Sequence, residues 1–191
     1  MKNGMEDSMK YWSKSALSVY RYLEQMSNTI DKLVLDVGKN SHSQNLQRYQ
    51  TTMYQTGKII EYMDRKRKII NLKVAIEDAL HRLPKTERRI LVLVFIDDIK
   101  SEVVAELLGF SLRTFFRRKL RAIEMLKDEL IECGYDLKFF ESEYSSEKWL
   151  ASVYQDCLQK YYKDEEQLNS YLVHRMLKEV SRLNMSSLLY S

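Results

Sequence analysis

One proline and five glycines in 191 residues leave this chain almost without breakers. A β-sandwich or barrel needs a tight turn every few residues, so the shortage excludes both and points to long helices. Cysteine is scarce too. Cys133 and Cys157 stand alone, without a CxxC spacing or a neighbouring histidine pair, and signal neither a disulfide framework nor a zinc site. No window approaches the ~18 unbroken apolar residues of a membrane span, and the start MKNGMEDSMKYW carries charges where a secretory signal would be apolar. These absences describe a cytoplasmic protein with reduced thiols. Catalytic equipment is also missing: His42, His81 and His174 are scattered, no serine or cysteine sits in a nucleophile motif, and the few glycines form no phosphate loop. We expect no enzyme, no cofactor and no metal.

Hydrophobic residues make up 45% of the chain, enough for one ordinary core, and the formal charge of +4 only mildly favours a polyanionic partner. The arrangement of charge must decide. From Met9 the apolar positions step through Trp12, Ala16, Val19, Leu23, Met26, Ile30 and Leu33, alternating three and four residues. Such a heptad seam is either a long helix laid on the protein's own core or a dimer-forming coiled coil. GKNSHSQN, residues 38 to 45, interrupts it with turn formers. A second helical pattern runs from about Leu46 to Leu83, with Tyr49, Met53, Ile60, Met63, Ile70 and Val74 near one face, and is expected to pair antiparallel with the first. The run DRKRK at residues 64 to 68 inside it is a candidate basic patch, read as a solvated charged face ahead of a phosphate contact.

Pro84 stops that helix and suits the start of the next, PKTERRILVLVFID, a buried central helix ended by Asp97 and Asp98. After Gly134, GYDLKFFESEYSSE reads as a loop, with Ser145 or Ser146 capping a last helix that carries Trp149, Val153, Cys157, Tyr161, Leu168, Leu172, Met176 and Val180 at helical spacing. The expected fold is all-α. A long helical hairpin or coiled coil spans residues 1–79, a central domain residues 80–134, and a helical extension residues 135–191.

The segment KSEVVAELLGFSLRTFFRRKL carries helix-turn-helix spacing. Val104 and Leu108 face inward, and small Ala105 lets a second helix cross closely. Gly109 supplies the left-handed residue where the chain leaves the first helix, Phe110 plugs the turn, and Ser111 can cap the next. At ~100° per residue, Phe116, Leu120, Ile123, Leu126 and Leu130 form the expected buried stripe, with Phe115 and Ala122 on its flank. Thr114, Arg117, Arg118 and Arg121 then project outward, Arg113 lies near the edge, and no acidic residue falls between positions 111 and 123. A merely solvated helix would intersperse acids for i,i+4 support, as this one does after Ile123.

LHRLPKTERRILVLVFIDDIKSEVVAELLGFSLRTFFRRKLRAIEML resembles region 4 of the sigma-70 family. A leucine–proline entry, an arginine-led apolar helix, the motif itself and a closing alanine–leucine pattern carry the likeness. SLRTFFRRKLRAI is closer still to phage and prophage late-gene regulators of the ArpU and RinA type. The resemblance implies an all-α DNA-binding module whose second motif helix enters the major groove of a promoter. Arg113, Thr114, Arg117 and Arg118 would contact the groove, and Ser111, Arg121 and Lys100 would hold phosphates. Double-stranded promoter DNA is the implied partner, with RNA polymerase or its sigma factor as a second, and a homodimer through the N-terminal heptads as a third contact. Two departures bear on function: DDIKSE replaces the usual glycine and hydroxyl residue before the motif, and residues 1 to 80 show no likeness to the polymerase-binding region 2. A transcriptional regulator is therefore expected ahead of a divergent sigma factor, or of a module that docks on polymerase without touching DNA.

Overall fold

The computed structural model describes residues 2–39 and 48–159, and among them every regular element is helical. In order these are α1 (Lys2–Lys39), α2 (Arg48–Arg82), α3 (Lys85–Leu91), α4 (Ser101–Leu107), α5 (Leu112–Glu132), α6 (Leu137–Tyr144) and α7 (Lys148–Gln159). The all-α expectation holds. Several others fall outside the described residues: the turn from position 40 onward, the helix start at Leu46, and Tyr161, Leu168, Leu172, Met176 and Val180. The chain forms two compact units, one joining the start of α1, up to Arg21, to the chain from Val74 onward, the other spanning Tyr22–Lys73.

Within Tyr22–Lys73, α1 and α2 run antiparallel. Asp31 meets Lys66 at 2.5 Å and Glu24 meets Lys73 at 3.4 Å, so advancing along one helix retreats along the other. Leu23, Met26 and Ile30 of the heptad seam are buried, as are Tyr62, Ile69 and Leu72 of α2. The buried face of α2 corrects the sequence expectation, because Met53, Ile60, Met63 and Ile70 are exposed. This helix is apolar on two opposite sides. Each side carries a cation, Arg67 in the expected stripe and Arg65 in the opposite one, and the side that packs is the one whose Tyr62, Ile69 and Leu72 face α1, with Lys66 beside them paired to Asp31. The basic run is tied up locally: Arg65 reaches Glu61 at 3.5 Å, Arg67 reaches Asp64 at 2.8 Å, and Lys68 reaches Asp64 at 3.6 Å. The hydrogen bond from Arg67 holds the Asp64 carboxyl below its ordinary range.

In the other unit the first part of α1 is a core helix. Met9, Trp12, Ala16, Leu17 and Val19 are buried, and so are Ser13, Ser15 and Ser18 on its remaining sides. Each serine hydroxyl donates to the carbonyl four residues back, at 2.7 to 2.9 Å, which leaves no buried hydroxyl without an acceptor. The neighbours of this segment come from four directions. Tyr20 donates to Glu77 of α2 at 2.6 Å, Arg21 meets Asp98 at 2.5 Å, and Lys10 pairs with Glu124 of α5. Trp12 stacks on Tyr154 of α7 at 4.1 Å and on Phe140 of α6 at 5.7 Å. The heptad seam is buried within the chain from Met9 to Ile30, and Leu33 at its end is half-buried.

Residues 137–144, expected as loop, form α6. The Asp136 carboxylate accepts the Phe139 amide at 2.9 Å as an N-cap, and Phe140 and Tyr144, one turn apart, are buried. The next helix starts from Glu147, not from either serine: the amides of Leu150 and Ala151 donate to its carbonyl, while its buried carboxylate accepts the Trp149 indole at 3.1 Å. Pro84 precedes α3 with φ −54° and ψ 146°, as its fixed ring favours. Past Leu91 the helix widens into one π turn, Val92–Ile96, in which the Asp97 amide reaches back to Val92 at 2.9 Å. Ile90, Leu91, Val94 and Phe95 are buried there, and Asp98 turns the chain with φ of 55°.

Candidate nucleic-acid interface

The turn between α4 and α5 is fixed bond by bond. Gly109 has φ of 69°, its amide donates to Glu106 at 3.0 Å, and the Phe110 amide donates to Ala105 at 2.8 Å. These two bonds make a Schellman motif, which closes the end of α4 with a left-handed residue that glycine adopts without strain. Val104 and Ala105 are buried below it. Ser111 then takes an extended conformation as N-cap of α5, accepting the Thr114 amide at 3.3 Å and donating its own hydrogen to Thr114 Oγ1 at 3.0 Å. A second Schellman motif at Gly134, with Gly134 to Ile131 at 2.9 Å and Tyr135 to Leu130 at 2.8 Å, ends the helix.

Which side of α5 is buried differs from expectation. Phe115, Ala122, Ile123, Leu126 and Leu130 face the core together with Lys119, which is only 3% exposed. Phe116 is 40% and Leu120 57% exposed, so the two rings exchange the parts assigned to them. Lys119 explains the exchange. Its aliphatic stem lies along the apolar surface while its ammonium stands 5.3 Å from the Phe95 ring and 6.0 Å from the Phe116 ring. A long cationic side chain thereby serves as core lining and turns the buried face by about half a residue step, or ~50°, keeping Ile123, Leu126 and Leu130 in it. Phe116 remains braced by an edge contact with Phe115, the ring centroids 5.5 Å apart.

Opposite the core stand Arg113, Arg117 and Arg121, all exposed and spaced four residues apart. Among the described residues none of the three pairs with a carboxylate. Residues at i and i+4 are neighbours on a helix surface, so the guanidinium groups form one row about two turns long. Thr114 and Arg118 lie on one flank of this row, half-buried, and Phe116 and Leu120 on the other. Arg118 folds back: its guanidinium lies 4.7 Å from the Phe110 ring and 3.6 Å from Glu87 of α3. Lys100 is exposed and occupies the N-cap position of α4 without a side-chain cap, so α4 begins where DDIKSE left its start open.

At the other end of α5, Glu124 ties the helix to α1 through Lys10 and to its own next turn through Lys127 at 3.1 Å. Burial alone would raise the Glu124 pKa, yet the hydrogen bonds from the two lysines outweigh it and hold the carboxyl below its ordinary range. Burial would likewise lower the Lys127 pKa, and Glu124 with Asp128 raises it instead. Acids therefore serve the core end of α5 and are absent from its first three turns. The row can meet a polyanion without internal competition.

Residues 73–126 match the sigma-70, region 4 family. The matched segment starts inside α2 and stops inside α5, so it contains the helix-turn-helix and supports a DNA-binding module linked to transcription. No curated protein and no solved structure matches the chain. The first part of α1, and α6 and α7, lie outside the match although they contribute core residues to the same compact unit. No helix among the described residues is long and apolar enough to cross a membrane.

Proposed function

We propose that the protein is a sequence-specific transcriptional regulator of the phage and prophage late-gene type, working in the cytoplasm and binding promoter DNA through α4 and α5 of the 80–134 domain. The observation that carries this reading is the row Arg113, Arg117 and Arg121 on the outer face of a capped motif helix. An α-helix fits the major groove, where arginine takes the O6 and N7 acceptors of guanine with two parallel hydrogen bonds. Arg113 and Arg117, nearest the N-terminus of α5, read bases, with Thr114 beside them. Ser111, Arg121 and Lys100 hold phosphates, the first aided by the backbone amides at the helix start. Arg118, laid over Phe110 and against Glu87, holds the turn in shape from the edge of the groove.

Selection of bound fragments from genomic DNA, followed by band-shift titration of the selected fragment at two salt concentrations, tests this reading. The expected result is a selected site whose affinity falls steeply with salt, by a log–log slope of about −0.9 per neutralised phosphate. Recovery of no fragment, or binding indifferent to salt, would overturn it.

The match to sigma-70, region 4 favours a second reading, a divergent sigma factor. Transcription reconstituted with core polymerase separates the two: a sigma factor initiates by itself, whereas the regulator needs the housekeeping sigma factor in the mixture.

A further inference from the structure

Two large apolar side chains border the arginine row and stand at the edge of the buried face, open to solvent. Phe116 and Leu120 sit one turn apart on α5, 40% and 57% exposed. Phe116 is three residues from Arg113 and Leu120 three from Arg117, spacings that make them surface neighbours about 60° apart around the helix. Exposed apolar side chains are ordinary on a protein surface, and what distinguishes this pair is its place, directly beside the arginine row. The ring is also held in advance. Phe115, fully buried, meets it edge-on at 5.5 Å, and the ammonium of Lys119 stands on it at 6.0 Å. Its orientation is set before any partner arrives.

We infer that Phe116 and Leu120 form an apolar reading edge for the 5-methyl groups of thymine, beside the arginine row. The only apolar group that base pairs present in the major groove is this methyl, and it separates thymine from every other base. Charge selects the partner: the edge adjoins three arginines and no acid falls between positions 111 and 123, so what approaches it is a polyanion. The preferred site would then carry thymine within a base or two of the guanines taken by Arg113 and Arg117. The edge acts so only where α5 enters the groove as proposed above.

Uracil lacks the methyl and keeps every hydrogen-bonding group of thymine. A fragment selected by the protein is resynthesised with uracil at one thymine at a time, and each duplex is titrated with wild type, Phe116→Ala, Leu120→Gln and Arg117→Ala. Burying one methyl corresponds to about a four-fold change in affinity. Wild type is expected to lose about that factor at one or two thymines. Phe116→Ala or Leu120→Gln should abolish the loss at its own thymine, whereas Arg117→Ala should weaken binding and keep it. Thermal melts check that the variants fold. A wild type that binds every uracil duplex as tightly as the parent overturns the inference while leaving DNA binding intact. So do variants that keep full uracil sensitivity but lose association with RNA polymerase, which would make the edge a protein contact. Failure to select any fragment would instead remove the DNA-binding reading, and the edge with it.

Discussion

Arg118 lies across the face of Phe110, its guanidinium carbon 4.7 Å from the ring centroid. Adjacent arginines on one helix therefore have different work. Arg118→Ala should cost ~0.5–1 kcal/mol of stability through the lost ring contact, and a further amount because the Glu87 side chain, 13% exposed, loses the cation 3.6 Å away. Arg117→Ala should leave stability within ~0.5 kcal/mol and weaken DNA binding instead. Urea unfolding of both variants, set beside band-shift titrations, checks this separation; equal effects on both measurements would contradict it.

Phosphate contacts and base contacts have different salt signatures. Arg121→Ala should lower the steepness of the log–log salt dependence by about 0.9 and weaken all sequences alike. Arg113→Ala should cost ~1–3 kcal/mol at the preferred site and relax the choice of base there. Titration of the selected fragment and of single-base variants over a salt series distinguishes the two.

The paired rings invite a stability test. Phe115→Ala empties a fully buried position and should cost ~3–5 kcal/mol, whereas Phe116→Ala should cost only ~1 kcal/mol, through the lost edge contact between the rings. Comparable losses in a thermal melt would return both rings to the core.

These rings also mark the limit of what the sequence discloses. The helix-turn-helix was legible because Ala105, Gly109 and Ser111 each perform a backbone task few other residues can, and the structure shows the Schellman bonds and the N-cap they foretell. The core side of α5 was not. Its apolar positions fit two phases about 50° apart, and choosing between them required knowing that Lys119 would lie inside with its stem packed. The same ambiguity misled the reading of α2, apolar on opposite sides, where the choice depends on what α1 offers across the interface. For α6 the polar composition of GYDLKFFESEYSSE concealed a short helix, since the Asp136 cap and the Phe140–Tyr144 pair supply its stability rather than a long periodic run. All-helical architecture was plain from the shortage of glycine and proline.

Acid should loosen the far end of α5. Glu124 has a folded-state pKa depressed by Lys10 and Lys127, so its contribution to stability is present above the ordinary glutamate pKa and is lost as pH falls through the depressed value. Glu124→Gln removes that dependence, while the depressed Asp64 keeps its own. Stability measured from neutrality down to about pH 3 should therefore fall more steeply in wild type than in the variant, below the ordinary glutamate pKa near 4.3. Parallel curves would show that the two lysines do not stabilise the fold through this carboxylate.

Gly109, at φ of 69°, has nothing within 4 Å of where a Cβ would stand, so Gly109→Ala should cost only the ~1–2 kcal/mol of left-handed strain, and Gly109→Asn less. Denaturant melts of the two variants check the order. An alanine variant as stable as wild type would mean that the turn relaxes to another conformation.

The first helix has a consequence for how the protein is made. Met9, Trp12, Ala16, Leu17 and Val19 are buried, and Trp12 rests on residues 140 and 154, more than a hundred positions later. During translation this apolar segment leaves the ribosome long before its neighbours exist. It must remain exposed, or be held by a chaperone, until α7 has been synthesised. Folding of this unit has to join segments more than a hundred residues apart, a long-range closure that slows it, and a ribosome stalled before residue 148 would carry a motif helix that has not yet acquired its full support.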